Sequence, residues 1–240
     1  MRIQVISNAS DAHQAQFIGK TAIVIDVIRT STTIIAALDA GAACIIPAET
    51  VMEAKAIAKE GDLLGGERFC KRISGFDLGN SPLEYSEATV KHKRIILTTT
   101  HGTRAIQRSR KASKLFIAGL TNATACIQAA LHTKRDLVIV CAGSHDQFTI
   151  EDGFCAGLMI ARLKEMLGVE FTMNDFGYAM LSLYEHMKQQ LPEIMKVGLS
   201  GKRLQAIQMY DDISECAKID QSTIVPHYVN GALVPFASMQ

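Results

Sequence analysis

The feature that most constrains the fold is a regular alternation of short, strongly apolar β-type runs with longer helical segments. Residues 21–27 (TAIVIDV) are almost continuously apolar, as in a strand buried on both faces, and residues 30–40 follow with helical spacing. Further strands are predicted at residues 43–47, 94–98, 114–118 and 137–141, and further helices at 50–59, 102–108, 122–132 and 150–167. This alternation predicts an α/β fold of three layers, α/β/α, with a mostly parallel sheet.

The two ends of the chain and one internal segment depart from this alternation. Residues 3–6 predict an edge strand, and Asn230-Gly231 between two β-rich runs predicts a terminal hairpin. A C-terminal helical stretch is predicted over residues 175–188, 191–195, 202–209 and 211–218. Residues 65–85 lack periodicity, and so long a loop inside a compact domain is more often functional than idle. No linker marks a boundary, so we predict one domain over residues 1–240.

Composition excludes several classes of protein. An apolar fraction of 48% with 5 prolines does not suit a disordered chain. With 25 Lys+Arg against 24 Asp+Glu, the net charge of +1 gives no global reason to bind nucleic acid or a membrane surface. This total hides a basic middle, because residues 65–140 hold 13 Lys+Arg and 5 Asp+Glu. No apolar run approaches the ~20 residues that span a bilayer. The six cysteines form no CxxC pair, which indicates buried thiols of a cytoplasmic protein.

Hydroxyl, glycine, arginine and carboxylate residues collect in the turns after five predicted strands, at residues 21–27, 63–64, 94–98, 114–118 and 137–141. In a parallel sheet such turns share one edge, where α/β proteins bind ligands. Small residues and arginine suit an oxyanion, whereas clustered carboxylates need a cation such as Mg²⁺ between them. The turns therefore predict a site for a phosphate or other oxyanion together with a divalent cation. The residues are Asp26, Arg29, Glu67, Arg68, Thr98, Thr99, Thr100, His101, Gly102, Thr103, Arg104, Asn122, Gly143, Glu151 and Asp152.

Each of these residues also has a structural interpretation. Asp26 is placed to cap the following helix, and Glu151 with Asp152 to complement a helix dipole. Cys141 is either a nucleophile or a buried structural thiol, and no arginine stands six residues on, as a cysteine phosphatase requires. The sequence has no GxxxxGK[ST] loop, no GxSxG elbow and no GxGxxG after the first strands.

With these turns in view, the chain resembles the 2-phosphosulfolactate phosphatase family. The most specific match is GFDLGNSP at residues 75–82. His101 stands where the family usually has Asn. The other matching stretches are IDVIRTSTT (25–33), GGER (65–68), TTTHGTR (98–104), GLTNA (119–123), CAG (141–143) with ED (151–152), and VP (225–226).

The resemblance implies Mg²⁺-dependent hydrolysis of (2R)-O-phospho-3-sulfolactate, a small phosphorylated sulfonate, to sulfolactate and phosphate. In archaea this step leads toward coenzyme M. The site hypothesis that follows has three parts. The metal ligands are Asp26, Glu67, Glu151 and Asp152. The catalytic group is Asp26, Arg29, Asn80, Thr100 and Cys141. The substrate-binding group is Arg68, Thr98, Thr99, His101, Gly102, Thr103, Arg104, Asn122 and Gly143, with Arg68 and Arg104 on the sulfonate or carboxylate.

Two other functions fit the same turns. One is a phosphatase or phosphotransferase for another small phosphorylated acid, which keeps the site and changes the substrate. The other is a non-catalytic protein that binds an anionic metabolite, although such a protein gains nothing from the carboxylates. The sequence leaves open whether the chain forms a homo-oligomer.

Overall fold

The computed structural model describes residues 1–168 and 171–237. This part of the chain contains eleven strands: β1 (Arg2–Ile6), β2 (Thr21–Ile25), β3 (Cys44–Pro47), β4 (Leu63–Arg68), β5 (Lys71–Arg72), β6 (Arg94–Thr98), β7 (Lys114–Ala118), β8 (Leu137–Cys141), β9 (Thr172–Met173), β10 (Pro226–Val229) and β11 (Ala232–Pro235). It also contains ten α-helices: α1 (Thr30–Asp39), α2 (Val51–Ile57), α3 (Glu87–Val90), α4 (Gly102–Ser109), α5 (Ala123–His132), α6 (Ile150–Leu167), α7 (Asp175–Met187), α8 (Leu191–Val197), α9 (Leu199–Ala206) and α10 (Tyr210–Cys216).

The strands form one mixed sheet in the order β5-β4-β6-β3-β11-β10-β7-β2-β8-β1-β9. It contains two parallel blocks, one of β4, β6 and β3 and the other of β7, β2, β8, β1 and β9. The predicted C-terminal hairpin is confirmed, but it lies between the blocks, where β11 pairs antiparallel with β3 and β10 pairs antiparallel with β7. The hairpin therefore joins the two blocks. The predicted α/β class with a mostly parallel sheet is confirmed.

The two parallel blocks run in opposite directions, because three antiparallel pairings separate β3 from β7. In a flat sheet their carboxyl ends would lie at opposite edges. Five strand-to-strand steps of about 20–25° separate β6 from β2, a rotation of roughly 100–125°. The two ends meet, since Thr99 Oγ1 lies 3.2 Å from Thr30 Oγ1. The prediction that the turns share one edge of a parallel sheet is therefore wrong, and twist brings them together instead.

Alternate side chains of β2 enter apolar cores on opposite faces of the sheet. Ile23 and Ile25 pack in one core with α6 residues such as Phe154. Val24 packs in the other core with Ile34 of α1. All of these side chains are fully or almost fully buried, and each such burial stabilises the fold by about 1.5–3 kcal/mol. The helices therefore cover both faces, as a three-layer fold requires.

Most predicted helix and strand bounds agree with the structure, and two predictions differ from it. Residues 94–98, 114–118, 137–141 and 150–167 form the predicted elements with these bounds. The helix predicted at 202–209 is α9, which begins and ends three residues earlier, because the Gly198 carbonyl already accepts the N–H of Lys202. Strand β1 is not an edge strand, since it pairs with β9 as well as β8. In the described part of the chain, no helix combines the length and apolarity of a membrane span.

The irregular segment at residues 65–85 is fixed against α1. The hydroxyl of Thr33 donates to the carbonyl of Asn80 at 2.9 Å, and the hydroxyl of Tyr85 donates to the carbonyl of Gly79 at 2.7 Å. Strand β4 approaches β6 closely at Gly66, where a Cβ atom would lie only 2.0 Å from the carbonyl oxygen of Thr98. Only glycine fits there, at a φ of 145°. The loop is therefore anchored beside the ends of β2, β4 and β6.

Candidate active site

A cavity of about 500 Å³ opens where the turns of both parallel blocks meet α9. The turns after β2, β4, β6 and β8 line it, together with side chains of α9. Six of the predicted site residues line this cavity: Asp26, Arg29, Glu67, Asn80, Thr100 and His101. The other lining residues are Ile28, Thr30, Phe69, Cys70, Ser144, His145, Ser200, Arg203, Leu204, Ala206 and Ile207.

Asp26 is the carboxylate at the end of β2, and only 7% of the residue is exposed. Its Oδ1 accepts the backbone N–H of Thr30 at 3.2 Å, in the first turn of α1. Burial raises the pKa of Asp26 to about 6, which the hydrogen bonds of Thr30 oppose and the nearby charge of Glu67 reinforces. Gly102 packs against this carboxylate, since a Cβ atom at position 102 would lie 2.5 Å from Oδ2. Asp26 is thus held in place, and its pKa of about 6 lies close to neutral pH.

Glu67 is held by three hydrogen bonds around its carboxylate. Oε1 accepts the backbone N–H of Thr100 at 2.8 Å and its hydroxyl at 2.7 Å, and Oε2 accepts the N–H of Cys70 at 2.7 Å. These bonds connect the end of β4 to the turn after β6. Because the Thr100 hydroxyl donates its proton to Glu67, it offers a ligand only acceptor lone pairs. In this arrangement it does not donate to a phosphoryl oxygen, as its predicted role would require.

Arg29 extends a guanidinium to the cavity and is paired with a residue far along the chain. Its Nη1 donates to Asp212 Oδ2 at 2.6 Å and contacts Met209 Sδ at 3.2 Å, and its Nη2 donates to the Cys70 carbonyl at 3.1 Å. The other oxygen of Asp212 accepts the hydroxyl of Ser81 at 2.6 Å. Asp212 therefore fixes Arg29 and the 75–82 segment together.

His101 is held in the neutral form. Its Nε2 accepts the backbone N–H of His145 at 2.9 Å, and the two imidazole rings meet edge to face with centroids 4.9 Å apart. Burial, together with the neighbouring His145, lowers the pKa of His101 to about 4. With Nε2 accepting, the ring carries its proton on Nδ1. At neutral pH His101 therefore adds no positive charge to the cavity.

Two candidate functional residues were not predicted from the sequence. Arg203 reaches the cavity from α9 and donates from Nη1 to the Ser144 hydroxyl at 2.7 Å. Asp212 is buried and pairs with Arg29. Neither follows a strand, so a search of strand-end turns does not find them. The acidic pair Asp211 and Asp212 at a predicted helix start is the only sequence signal.

Arg68 and Arg104, predicted to bind the carbon-bound anions, do not line the cavity. The guanidinium of Arg68 donates to the carbonyls of Glu67 and Glu49 and to Thr98 Oγ1. That of Arg104 forms a partly exposed ion pair with Asp146 at 3.0 Å. Both guanidinium groups are engaged by the surrounding loops. Neither residue therefore takes its predicted place on the cavity wall, because other partners hold its guanidinium.

Several other predicted contacts are internal to the protein. Thr99 and Thr103 bond to each other within the turn before α4. Asn122 is buried, accepts the N–H of Gly119 and donates to the carbonyls of Ile117 and Ile224. Gly143 forms a turn with a φ of 68°. These residues shape the turns and do not line the cavity, and the same holds for Thr98 and Gly102.

Cys141 is a core thiol, which agrees with the structural interpretation. It is fully buried within the apolar core formed by α5 and α6. Burial raises the pKa of its thiol well above the usual range, so the thiolate form is strongly disfavoured. The structure contradicts a catalytic placement for Cys141, because the residue does not line the cavity.

The four predicted metal ligands separate into two pairs. Asp26 and Glu67 line the cavity, whereas Glu151 and Asp152 at the start of α6 do not. The carboxylate of Asp152 accepts the N–H groups of Val27 and Gly143 and the hydroxyl of Thr149, at 2.8–3.1 Å. It ties the end of β2 to the turn after β8. Within residues 1–168 and 171–237, no three His, Cys, Asp or Glu side chains are grouped as a metal site.

The comparison with known proteins decides the family. A sequence model described as 2-phosphosulpholactate phosphatase matches residues 7–231. The chain belongs to the 2-phosphosulfolactate phosphatase family. The resemblance carried by residues 75–82 and the strand-end turns is therefore confirmed.

Relatives within the 2-phosphosulfolactate phosphatase family match over nearly their full length. A probable 2-phosphosulfolactate phosphatase of Symbiobacterium thermophilum is 40% identical over 222 residues, covering 90% of this chain and 94% of the relative. Those of Clostridium kluyveri and Thermotoga petrophila are 35% and 38% identical, over 97% and 90% of this chain and 97% and 92% of the relatives. Family membership thus applies to the whole fold, including the C-terminal helices that complete the cavity.

Proposed function

We propose that this protein hydrolyses (2R)-O-phospho-3-sulfolactate to sulfolactate and phosphate in a Mg²⁺-dependent reaction. The observation that carries the proposal is Asp26, a buried carboxylate on the cavity wall at the N-terminus of α1, with a pKa raised to about 6. Shifted carboxylates in clefts mark candidate catalytic groups. The family membership and the names of the relatives indicate the substrate.

The donors at the cavity fit a magnesium ion, which prefers oxygen ligands and keeps several waters. Asp26 and Glu67 supply carboxylate oxygens. The Oδ1 of Asn80, also on the cavity wall, is buried and has no hydrogen-bond partner in the described part of the chain. We therefore assign Asp26, Glu67 and Asn80 as the residues that would hold Mg²⁺. When bound, the ion would offset negative charge on the phosphoryl group.

Arg29 and the start of α1 are placed to bind the phosphoryl oxygens. A guanidinium has five N–H donors. In Arg29, three of these donors bond to Asp212, Met209 and Cys70. The remaining two have no partner within residues 1–168 and 171–237, and we assign them to an oxyanion in the cavity. The N-terminus of α1, a helix of ten residues, adds a favourable field for negative charge. Together they would stabilise charge on the phosphoryl group during transfer.

Two routes of phosphate hydrolysis would use the carboxylate of Asp26. In one, an oxygen of Asp26 attacks phosphorus, the bond from phosphorus to the sulfolactate oxygen breaks, and sulfolactate leaves with a proton from solvent; water then attacks phosphorus of the acyl phosphate and releases phosphate and the carboxylate. In the other, water attacks phosphorus directly while Asp26 orients it and takes up its proton, and the same bond breaks to release sulfolactate, which takes up a proton. The stereochemistry at phosphorus, followed with a phosphoryl group made chiral by oxygen isotopes, separates them, because two successive in-line displacements retain its configuration and a single displacement inverts it.

A phosphate-release assay tests the proposal. Phosphosulfolactate is supplied with Mg²⁺, with EDTA, and with EDTA followed by excess Mg²⁺, using the wild-type protein and Asp26→Asn. We expect release only with Mg²⁺ and its loss in the variant. Phospholactate and phosphoglycerate serve as competing substrates. Equal kcat/KM on all three would favour the second function, a phosphatase for another small acid, since an unfilled polar pocket discriminates strongly.

Absence of release with every substrate, together with tight metal-independent binding, would instead support a metabolite-binding protein. We also propose a cytoplasmic location and a step toward coenzyme M or free sulfolactate. The six cysteines are free, which fits a reducing compartment. The C-terminal hairpin between the two parallel blocks supports one catalytic domain for the whole chain.

A further inference from the structure

Arg203 is a cation on the cavity wall that the predicted site does not contain. It lies on α9, and its one hydrogen bond within the described residues goes from Nη1 to the hydroxyl of Ser144, in the turn after β8, at 2.7 Å. Within those residues it forms no ion pair, whereas Arg29 is paired with Asp212 at 2.6 Å. The guanidinium therefore keeps most of its donors and its full charge for a ligand.

Within the part of the chain that the structure describes, the other charged groups that line the cavity leave Arg203 as the unpaired cation for a polyanionic substrate. The other ionised lining groups are Asp26 and Glu67, which are negative, and Arg29, whose charge Asp212 balances. His101 is neutral, because its Nε2 already accepts a backbone N–H. Phosphosulfolactate carries a phosphate, a carboxylate and a sulfonate. If Arg29 binds the phosphoryl group, the carbon-bound anions have Arg203 as their cationic partner.

The surroundings of Arg203 suit an oxyanion. Ser144 and Ser200 line the cavity with Arg203. Ser144 is 3% exposed, and its backbone N–H bonds to the Gln147 carbonyl, so the hydroxyl that orients Arg203 is itself fixed. The positive charge of Arg203 also contributes, after burial and His145, to the lowered pKa of His101, so its field extends into the cavity.

We infer that Arg203 binds a carbon-bound oxyanion of the substrate, the sulfonate or the carboxylate, in the place that Arg68 and Arg104 were predicted to take. This inference rests on the proposed function for the identity of the substrate. The assignment makes α9 the specificity-determining wall of the site. It also gives the C-terminal helical stretch a role in recognition, separate from the phosphoryl-binding turns.

The test compares three substrates on the wild-type protein, Arg203→Gln and Arg203→Lys. Phosphosulfolactate has both carbon-bound anions, phospholactate lacks the sulfonate, and O-phosphoisethionate lacks the carboxylate. For phosphosulfolactate we expect Arg203→Gln to lower kcat/KM about 10- to 100-fold, mostly through KM, as loss of a charged hydrogen-bond partner does. For the analogue that lacks the group bound by Arg203, the loss should fall below about threefold. Arg203→Lys should recover part of the loss.

Lys202→Gln is the matched control, because it removes the same charge from an exposed neighbour on α9 that does not line the cavity. It should leave the kinetics unchanged. A loss confined to substrates with a sulfonate assigns the sulfonate to Arg203, and a loss confined to those with a carboxylate assigns the carboxylate. Equal losses on all three substrates, or no loss on any, would overturn the inference.

Binding of the product sulfolactate, measured by calorimetry, separates this inference from the proposed function. It requires no turnover. We expect Arg203→Gln to weaken sulfolactate binding at least tenfold and Lys202→Gln to leave it unchanged. If the wild-type protein binds sulfolactate but releases no phosphate, the proposed hydrolysis fails while the role of Arg203 stands. Equal affinity in the wild type and Arg203→Gln, or no binding by either, would refute the role of Arg203.

Discussion

Arg29 and Asp212 form a buried ion pair that joins the first site turn to the C-terminal helices. Arg29 Nη1 lies 2.6 Å from Asp212 Oδ2, and both side chains are only 4% exposed. Because Asp212 Oδ1 also accepts the Ser81 hydroxyl, three segments meet at this one carboxylate. The orientation of Arg29 at the cavity therefore depends on a residue 183 positions away in the chain.

Removal of the Asp212 charge should damage both stability and catalysis. Asp212→Asn leaves Arg29 buried without its counter-ion, and breaking such a pair costs about 3–5 kcal/mol of unfolding free energy. We also expect kcat/KM to fall about 100-fold, because Arg29 is no longer held in position. Urea unfolding and phosphate release measure the two effects. Asp211→Asn, at the exposed neighbouring position, is the control, and an equally small effect of both variants would show that the pair is dispensable.

Asp26 should be a source of instability that depends on pH. Burial raises its pKa from 3.8 to about 6, so the folded protein binds the proton more tightly than the unfolded chain does. Stability is therefore lost as the pH rises from about 4 through 6, by roughly 2–3 kcal/mol at pH 7. In EDTA, Asp26→Asn should raise the unfolding free energy by this order at pH 7.5 and much less at pH 4.

Urea titrations of the wild type and Asp26→Asn at pH 4, 5.5 and 7.5 give the comparison, with the exposed Asp39→Asn as a control. If the difference in unfolding free energy between the wild type and Asp26→Asn stays constant with pH, the pKa of Asp26 is not raised by folding. Loss of activity in Asp26→Asn together with higher stability would identify a carboxylate kept for function at a cost to the fold.

Gly102 should tolerate no side chain. A Cβ atom there would lie 2.5 Å from Asp26 Oδ2 and 2.5 Å from the Cβ of Thr30. Gly102→Ala should displace Asp26 and lower kcat by at least tenfold, although alanine favours the helix. Gly177→Ala on α7 is a matched control, since its nearest neighbour is the flexible Met173 Sδ at 3.2 Å. Similar kcat values in both variants would show that contact with Gly102 does not position Asp26.

Cys141→Ala should retain activity. The thiol lies in the apolar core, away from the cavity, so its removal deletes only packing. We expect kcat within twofold of the wild type and a loss of about 1 kcal/mol in unfolding free energy from the small void. Phosphate release and urea unfolding provide the readouts. A fall in kcat of tenfold or more without loss of structure would restore Cys141 as a catalytic residue.

Local patterns in the sequence sufficed for most of the secondary structure. The strand at residues 137–141 and the helix at 150–167 were predicted with their observed bounds, because apolar spacing and a helix-ending Gly168 are local signals. Thr50, at the start of the helix predicted over residues 50–59, caps α2 by accepting the N–H of Glu53 at 3.0 Å. The carboxylate of Glu53 accepts the N–H of Glu49. The order of the strands could not be predicted from local patterns, because the hairpin pairs with β3 and β7, which are distant from it in the sequence.

The sequence by itself determined the fold class, the family and the polar turns from which five cavity residues come, including Asp26 and Glu67, with Asn80 of residues 75–82 as a sixth. Only the tertiary structure decided which side chains of those turns face the cavity. Arg68 and Arg104 are adjacent to site residues in sequence, yet their guanidinium groups bond elsewhere. Arg203 and Asp212 come from helices far along the chain. The physical reason is that spacing fixes the face of a strand or helix, whereas the partner that orients a charged side chain is supplied by packing between distant segments.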